Sequence, residues 1–155
     1  MGITIAERYK FTKKVAAAKQ IKDFYMETNK KEIQFYNETF LKDIQKLFNT
    51  YYPFLKIEFW EEKRYPAEET KVRNDHYGMQ VKDVSNVKEP VAIDVSGERT
   101  IEEMVKDFKT NSGTNINVYR KSGNVWNVIT LTESWTLESQ NKAGQFISSE
   151  MKLTV

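Results

Sequence analysis

The sequence predicts an α+β protein of two layers, with a duplicated β-α-β core and an amphipathic helix ahead of it. Three observations carry that prediction. Apolar residues alternate in some short runs and recur every three or four residues in others, so strands and helices are interleaved. The same order of period changes occurs twice, with Ile33 and Ile93 as matching positions at an offset of 60. The chain has 155 residues, 39% hydrophobic and 30% charged, with only 6 Gly and 3 Pro. That composition belongs to a packed domain and not to a disordered or fibrous chain.

The first element is a helix over residues 5–28. Phe11, Val15, Ala18 and Tyr25 share one face with Ile21 at its edge, and the run Ala16-Ala17-Ala18 favours helix intrinsically. Residues 1–31 carry eight basic side chains against three acidic ones, whereas the remaining 124 residues carry 16 basic and 19 acidic. A basic arm therefore precedes a mildly acidic body, a pattern that suits either a solvated lysine-rich face or contact with phosphates.

The first repeat covers residues 32–63. Ile33 and Phe35 alternate with Gln34 and Tyr36 as in a half-buried strand. Leu41, Ile44 and Phe48 then fall on one helical face, with Thr39 as the expected N-cap and Pro53 as the stop. Leu55, Ile57 and Phe59 return to alternation. Residues 64–89 form a charged connection, in which 77–84 is expected as a strand hairpinned onto Val91–Val95.

The second repeat, residues 90–155, matches Ile93 and Val95, then Ile101, Met104 and Phe108, to the first at an offset of 60. After Gly113, placed to end the helix, Ile116 and Val118 match Ile57 and Phe59 at an offset of 59. Ser122-Gly123 is expected as a two-residue hairpin loop leading into a return strand, Asn124–Leu131. A short capped turn over Trp135–Asn141, ended by Gly144, and a last strand through Met151, Leu153 and Val155 complete the expectation.

In the order of its parts, the second repeat resembles a ubiquitin-like β-grasp domain. The residues concerned are a hairpin at 77–95, a helix opening Thr100-Ile101-Glu102-Glu103, strands at 115–121 and 124–131, the Trp135-Thr136-Leu137 turn and a closing strand Glu150–Val155. A ferredoxin-like arrangement of the duplicated core is the alternative. The chain ends Lys152-Leu153-Thr154-Val155 and not in Gly-Gly, so the resemblance does not imply conjugation to other proteins. The runs Pro53–Phe59, Arg120–Trp126 and Trp135–Leu137 with Gln140-Asn141 also resemble those of small uncharacterised bacterial proteins over residues 32–144. That likeness implies a domain and no activity.

Composition narrows the chemistry. Cysteine is absent, which removes thiol catalysis and cysteine-ligated metals. The one histidine, His76, lies in the charged run Asn74-Asp75-His76, and three adjacent ligands make a poor metal cage. The six glycines are isolated and form no phosphate loop, and the eight serines have no evident base. Glu61-Glu62, Glu68-Glu69 and Glu102-Glu103 are neighbours that point apart and so form no acid/base couple. No catalytic residue, metal or cofactor is expected, and the chain reads as a non-enzyme. No apolar run reaches the ~20 residues of a membrane span and no signal-peptide core follows Met1, so a cytoplasmic protein without membrane contact is expected.

The candidate binding residues come from sheet geometry. Pairing through Ser122-Gly123 sets Tyr119 opposite Trp126 and turns both away from the helices. Repeat logic adds Trp60 to this face and alternation adds Tyr36. Four aromatics, Tyr36, Trp60, Tyr119 and Trp126, are thus expected to share one sheet face. Three readings compete. The N-terminal helix or a second copy covers the face as a further core; the face anchors another protein; or it stacks single-stranded nucleic acid while lysines meet phosphates. The glycine-and-aromatic motif of RNA-recognition folds is missing from this chain. The sequence therefore favours protein binding, within a homo-oligomer or a larger assembly. Lys10, Lys13, Lys14, Lys19 and Lys22 are the secondary contacts, and nucleic acid is the alternative partner.

Overall fold

A computed structural model describes residues 4–28, 30–60 and 78–153. The chain divides into two units, residues 1–30 and Lys31–Val155. Helix α1 (Ile5–Thr28) is the first unit. It opens on a reciprocal cap, in which Thr4 N–H donates to Glu7 Oε2 at 2.8 Å and Glu7 N–H donates to Thr4 Oγ1 at 3.3 Å. The Thr4 N–H bond, and a second that the Thr4 hydroxyl donates to the same Oε2 at 2.9 Å, hold the Glu7 carboxyl below its usual range. Residues 10–21 are exposed all round, including Phe11, Val15 and Ile21.

The second unit runs β1 (Glu32–Phe35), α2 (Leu41–Tyr51), β2 (Leu55–Trp60), α3 (Val81–Val84), β3 (Val91–Asp94), α4 (Ile101–Asp107), β4 (Asn115–Ser122), β5 (Val125–Val128) and α5 (Leu137–Leu153). A π-helical turn, Phe108–Ser112, continues α4. The sheets are antiparallel: β1 pairs β3, and β2-β4-β5 form three strands in that order.

The duplication organises this unit. Ile33 lies opposite Ile93, its own counterpart in the repeat. Ile57 lies opposite Val118 and Phe59 opposite Ile116, two pairs that the repeat offset interchanges. The equivalence extends beyond what apolar spacing predicts. Leu41 N–H donates to Met79 O at 3.0 Å, Val81 N–H to Thr39 O at 2.9 Å and Lys82 N–H to Asn37 O at 3.0 Å. In the second half Ile101 N–H donates to Trp135 O at 3.2 Å, Leu137 N–H to Arg99 O at 2.8 Å and Glu138 N–H to Gly97 O at 3.0 Å. Each half therefore closes its helix start against a segment that itself turns into a helix, α3 in one and α5 in the other.

The core is drawn from both halves. Ile33, Phe35, Leu41, Ile44, Phe48, Leu55, Ile57 and Phe59 are buried, as are Ile93, Ile101, Met104, Phe108, Ile116 and Val118. Phe108 joins them: its ring stacks on Phe35 at 5.9 Å and meets Phe59 edge-on at 6.0 Å.

Four expectations are corrected. Residues 78–84 do not pair with β3; Gln80 bridges only to Phe40, and α3 follows, because the main chain of Met79 and Val81 is bonded to Leu41 and Thr39. Tyr77 lies outside the described residues, as do His76 and the glutamates at 61, 62, 68 and 69. Up to Leu153 the expected C-terminal strand is instead the continuation of α5, which runs through Gly144, and Thr154 and Val155 lie outside the described residues. Leu137, Gln140, Gly144 and Ser148 are buried at helical spacing, and three of the four are small or polar, so apolar periodicity does not reveal them.

Thr39 does not cap α2; the N-cap is Phe40, which offers no side-chain bond, while Thr39 Oγ1 accepts from Tyr36 N–H at 3.0 Å. The β4–β5 loop is Gly123-Asn124, one residue later than expected, with Gly123 at a φ of 63°. That shift makes the pairs Tyr119↔Val128 and Lys121↔Trp126. Each residue's partner changes by two positions, so every side chain keeps its expected face.

Candidate functional site

The site is the face of the β2-β4-β5 sheet opposite the core. Alternation turns Leu55, Ile57 and Phe59 of β2, and Ile116 and Val118 of β4, into the core. Lys56, Glu58, Trp60, Tyr119, Lys121, Trp126 and Val128 are left on the other side.

Cross-strand register gives this face its chemistry. Lys56 lies opposite Tyr119 and reaches over two rings, with Nζ 4.8 Å from the Tyr119 centroid and 5.3 Å from that of Trp126. Lys121, opposite Trp126, puts its own Nζ 5.8 Å from the same indole. Glu58 anchors Lys56 through an ion pair of 2.5 Å. A cation over an aromatic face contributes ~0.5–2 kcal/mol, more as water is removed. Burial, then the Glu58 charge and hydrogen bond, hold the Tyr119 phenol above its ordinary range. The cluster is a half-buried platform of two rings and two ammonium groups with one carboxylate.

Of the sequence-predicted binding residues, Tyr119 and Trp126 come together here. Trp60 lies on the same face but at the far end of β2, opposite Asn115. Tyr36 does not join them: it follows the end of β1, whose sheet partner is β3, and is exposed there. The inference that placed Tyr36 used alternation within its strand, which fixes a face but not the sheet to which the strand belongs. Lys10, Lys13, Lys14 and Lys19 are exposed on α1. The side chain of Lys22 lies outside the described residues.

Sequence reasoning passed over Lys56, Glu58 and Lys121. The signal was present in the repeat, since pairing β2 with β4 puts Lys56 beside Tyr119 once the aromatic is chosen.

Elsewhere, an open depression of about 600 Å³ lies between Ser85–Ala92 and Thr110–Gly113. The Ser85 hydroxyl donates to Ser112 O at its edge. Among the described residues no three His, Asp or Glu side chains converge, and no helix is long and apolar enough to cross a membrane. No protein-family model, curated protein or solved structure matches this chain.

Proposed function

We propose that this chain is a non-enzymatic protein-binding module of the cytoplasm, docking through the open face of the β2-β4-β5 sheet. The observation that carries the reading is the Lys56–Tyr119–Trp126–Lys121 cluster. Tyrosine and tryptophan held rigid by a strand lose little entropy on contact, which is why such residues dominate binding hot spots. Lys56 and Lys121 add charge that selects a partner surface carrying carboxylates.

Trp126→Ala tests this: a partner bound through the face should lose about 2 kcal/mol or more of affinity. Lys56→Glu should reduce binding through charge reversal alone. The measurement is quantitative capture from cell extract with the wild type and both variants side by side. Folded variants that retain every captured protein would remove the reading.

Single-stranded nucleic acid is the second reading, favoured by lysines beside aromatic rings and by the basic α1. Against it, Lys56 already lies over both rings, so a stacking base has to displace it. Affinity for an oligonucleotide should then fall steeply with salt, with Lys10, Lys13, Lys14 and Lys19 contributing to the slope. A flat salt response would eliminate it.

A further inference from the structure

The outer edge of β5 has a chemistry of its own. Among the described residues β5 pairs only with β4. Ile129 N–H donates to Val118 O at 2.9 Å, and antiparallel ladders alternate. The main-chain groups of Val125 and Asn127 therefore face β4, and those of Trp126 and Val128 face outward.

Natural edge strands are protected by being very short or by lysines, prolines or bulges, and of these β5 has only its length of 4 residues. Asn124–Leu131 has no charged residue and no proline, in a chain that is 30% charged. Val125, Val128 and Leu131 are exposed, the last at 95%. The strand has apolar residues on both faces, and among the described residues no strand pairs with the outward main-chain groups between them.

We propose that β5 pairs antiparallel with β5 of a second copy of the chain, about a two-fold axis through Asn127. This goes beyond the docking-face reading above, because it uses the edge of that sheet and not its open face. The register follows from the backbone. An axis at Asn127 sets Trp126 opposite Val128 of the second copy, and Val128 opposite its Trp126. Both are outward-facing positions, so each pair exchanges two main-chain hydrogen bonds. The same register keeps the two open faces on one side, since opposed residues in a ladder share a face. It also makes two aromatic–β-branched contacts of the kind that stabilise sheets.

A second copy suits this edge because the seam brings no like charges together. A foreign strand has no such guarantee of a match. The chain also uses the same device internally: β1 meets β3, and β2 meets β4, as equivalent strands about a dyad.

The test is Asn127→Cys in this cysteine-free chain. The axis puts the two residue-127 Cα atoms ~4.5 Å apart, at the short end of disulfide geometry. Mild oxidation should give a covalent dimer quickly, whereas Glu102→Cys, exposed on α4, should not. In solution the wild type should show a concentration-dependent rise from the 18.3 kDa chain mass towards twice that value, and Val128→Lys should abolish the rise. A wild type that stays monomeric throughout, with Asn127→Cys crosslinking no faster than Glu102→Cys, overturns the proposal. Lys56→Glu, two strands from the seam, separates the two ideas. If the chain is monomeric but Lys56→Glu still loses captured proteins, only self-pairing fails. If the dimer forms and Lys56→Glu changes no capture, only the docking face fails.

Discussion

Phe59 lies opposite Ile116, and the pair is the repeat-related image of Ile57 opposite Val118. Two β-α-β halves thus pair about an internal dyad, and each strand of one half finds its equivalent in the other. Neither half can bury its own apolar face alone. Ile33 needs Ile93 as Ile57 needs Val118, so the second unit should unfold as one cooperative block.

Phe108 should be the costliest single truncation. It is fully buried and its ring touches both Phe35 of the first sheet and Phe59 of the second. Phe108→Ala removes both contacts and leaves a cavity, for a loss of about 3–5 kcal/mol. Urea unfolding followed by tryptophan fluorescence measures this. A loss below about 1 kcal/mol would mean that Phe108 does not link the two sheets.

Gly144→Ala should destabilise, against the helix propensity that favours alanine by ~1 kcal/mol. An added Cβ would lie 2.9 Å from Phe54 Cβ, 3.1 Å from Arg120 Cγ and 3.2 Å from Lys121 O. One of those neighbours is backbone, so α5 has to lift from β4, at a cost of about 1–3 kcal/mol. A rise in the unfolding midpoint would show that α5 packs more loosely than this.

Much of this fold is legible in the sequence where burial is apolar and periodic. Leu41, Ile44 and Phe48, and their counterparts Ile101, Met104 and Phe108, mark α2 and α4 directly. α5 is concealed because its buried face is Gln140, Gly144 and Ser148, held by polar bonds: Arg120 donates to Gln140 Oε1 at 2.9 Å and Gly123 N–H to Ser148 Oγ at 3.1 Å. Alternation in Met151, Leu153 and Val155 then mimics a strand. The site divides the same way. Tyr119, Trp126 and Trp60 follow from period two and from the repeat, whereas the separation of Tyr36 depends on sheet order, which is long-range pairing that no local pattern encodes.

Capping separates the two halves energetically. Thr100 Oγ1 accepts from Glu103 N–H at 3.2 Å, and Thr100 N–H donates to Glu103 Oε2 at 2.9 Å. Its counterpart Phe40 has no side-chain cap bond. Thr100→Ala should cost about 1 kcal/mol, and Phe40→Ala should lose no cap bond at all. The Thr100 backbone bond is the largest influence holding the Glu103 carboxyl below its usual range, with the Thr100 hydroxyl a smaller one. An NMR titration should therefore move Glu103 slightly upward in Thr100→Ala; an unchanged Glu103 would show that the hydroxyl does not bond that carboxylate.

Tyr52 should make stability fall at alkaline pH. Its ring is buried and its hydroxyl donates to Val95 O at 2.6 Å. Burial, followed by the charges of Glu98, Glu138 and Asp94, raises the phenol far above its ordinary value of 10.0. The folded state therefore keeps the proton that the unfolded chain releases. The associated stability is complete below the ordinary value and is lost progressively as pH rises above it. Tyr52→Phe has two separable effects. At neutral pH it deprives Val95 O of its donor, at a cost of about 1–3 kcal/mol. At alkaline pH it removes this part of the decline, leaving the share that Tyr119, also raised, contributes. Urea midpoints for wild type and Tyr52→Phe, measured from neutral pH upward, should converge above the ordinary phenol range. Curves that stay parallel would mean that the folded protein releases the Tyr52 proton as readily as the unfolded chain does.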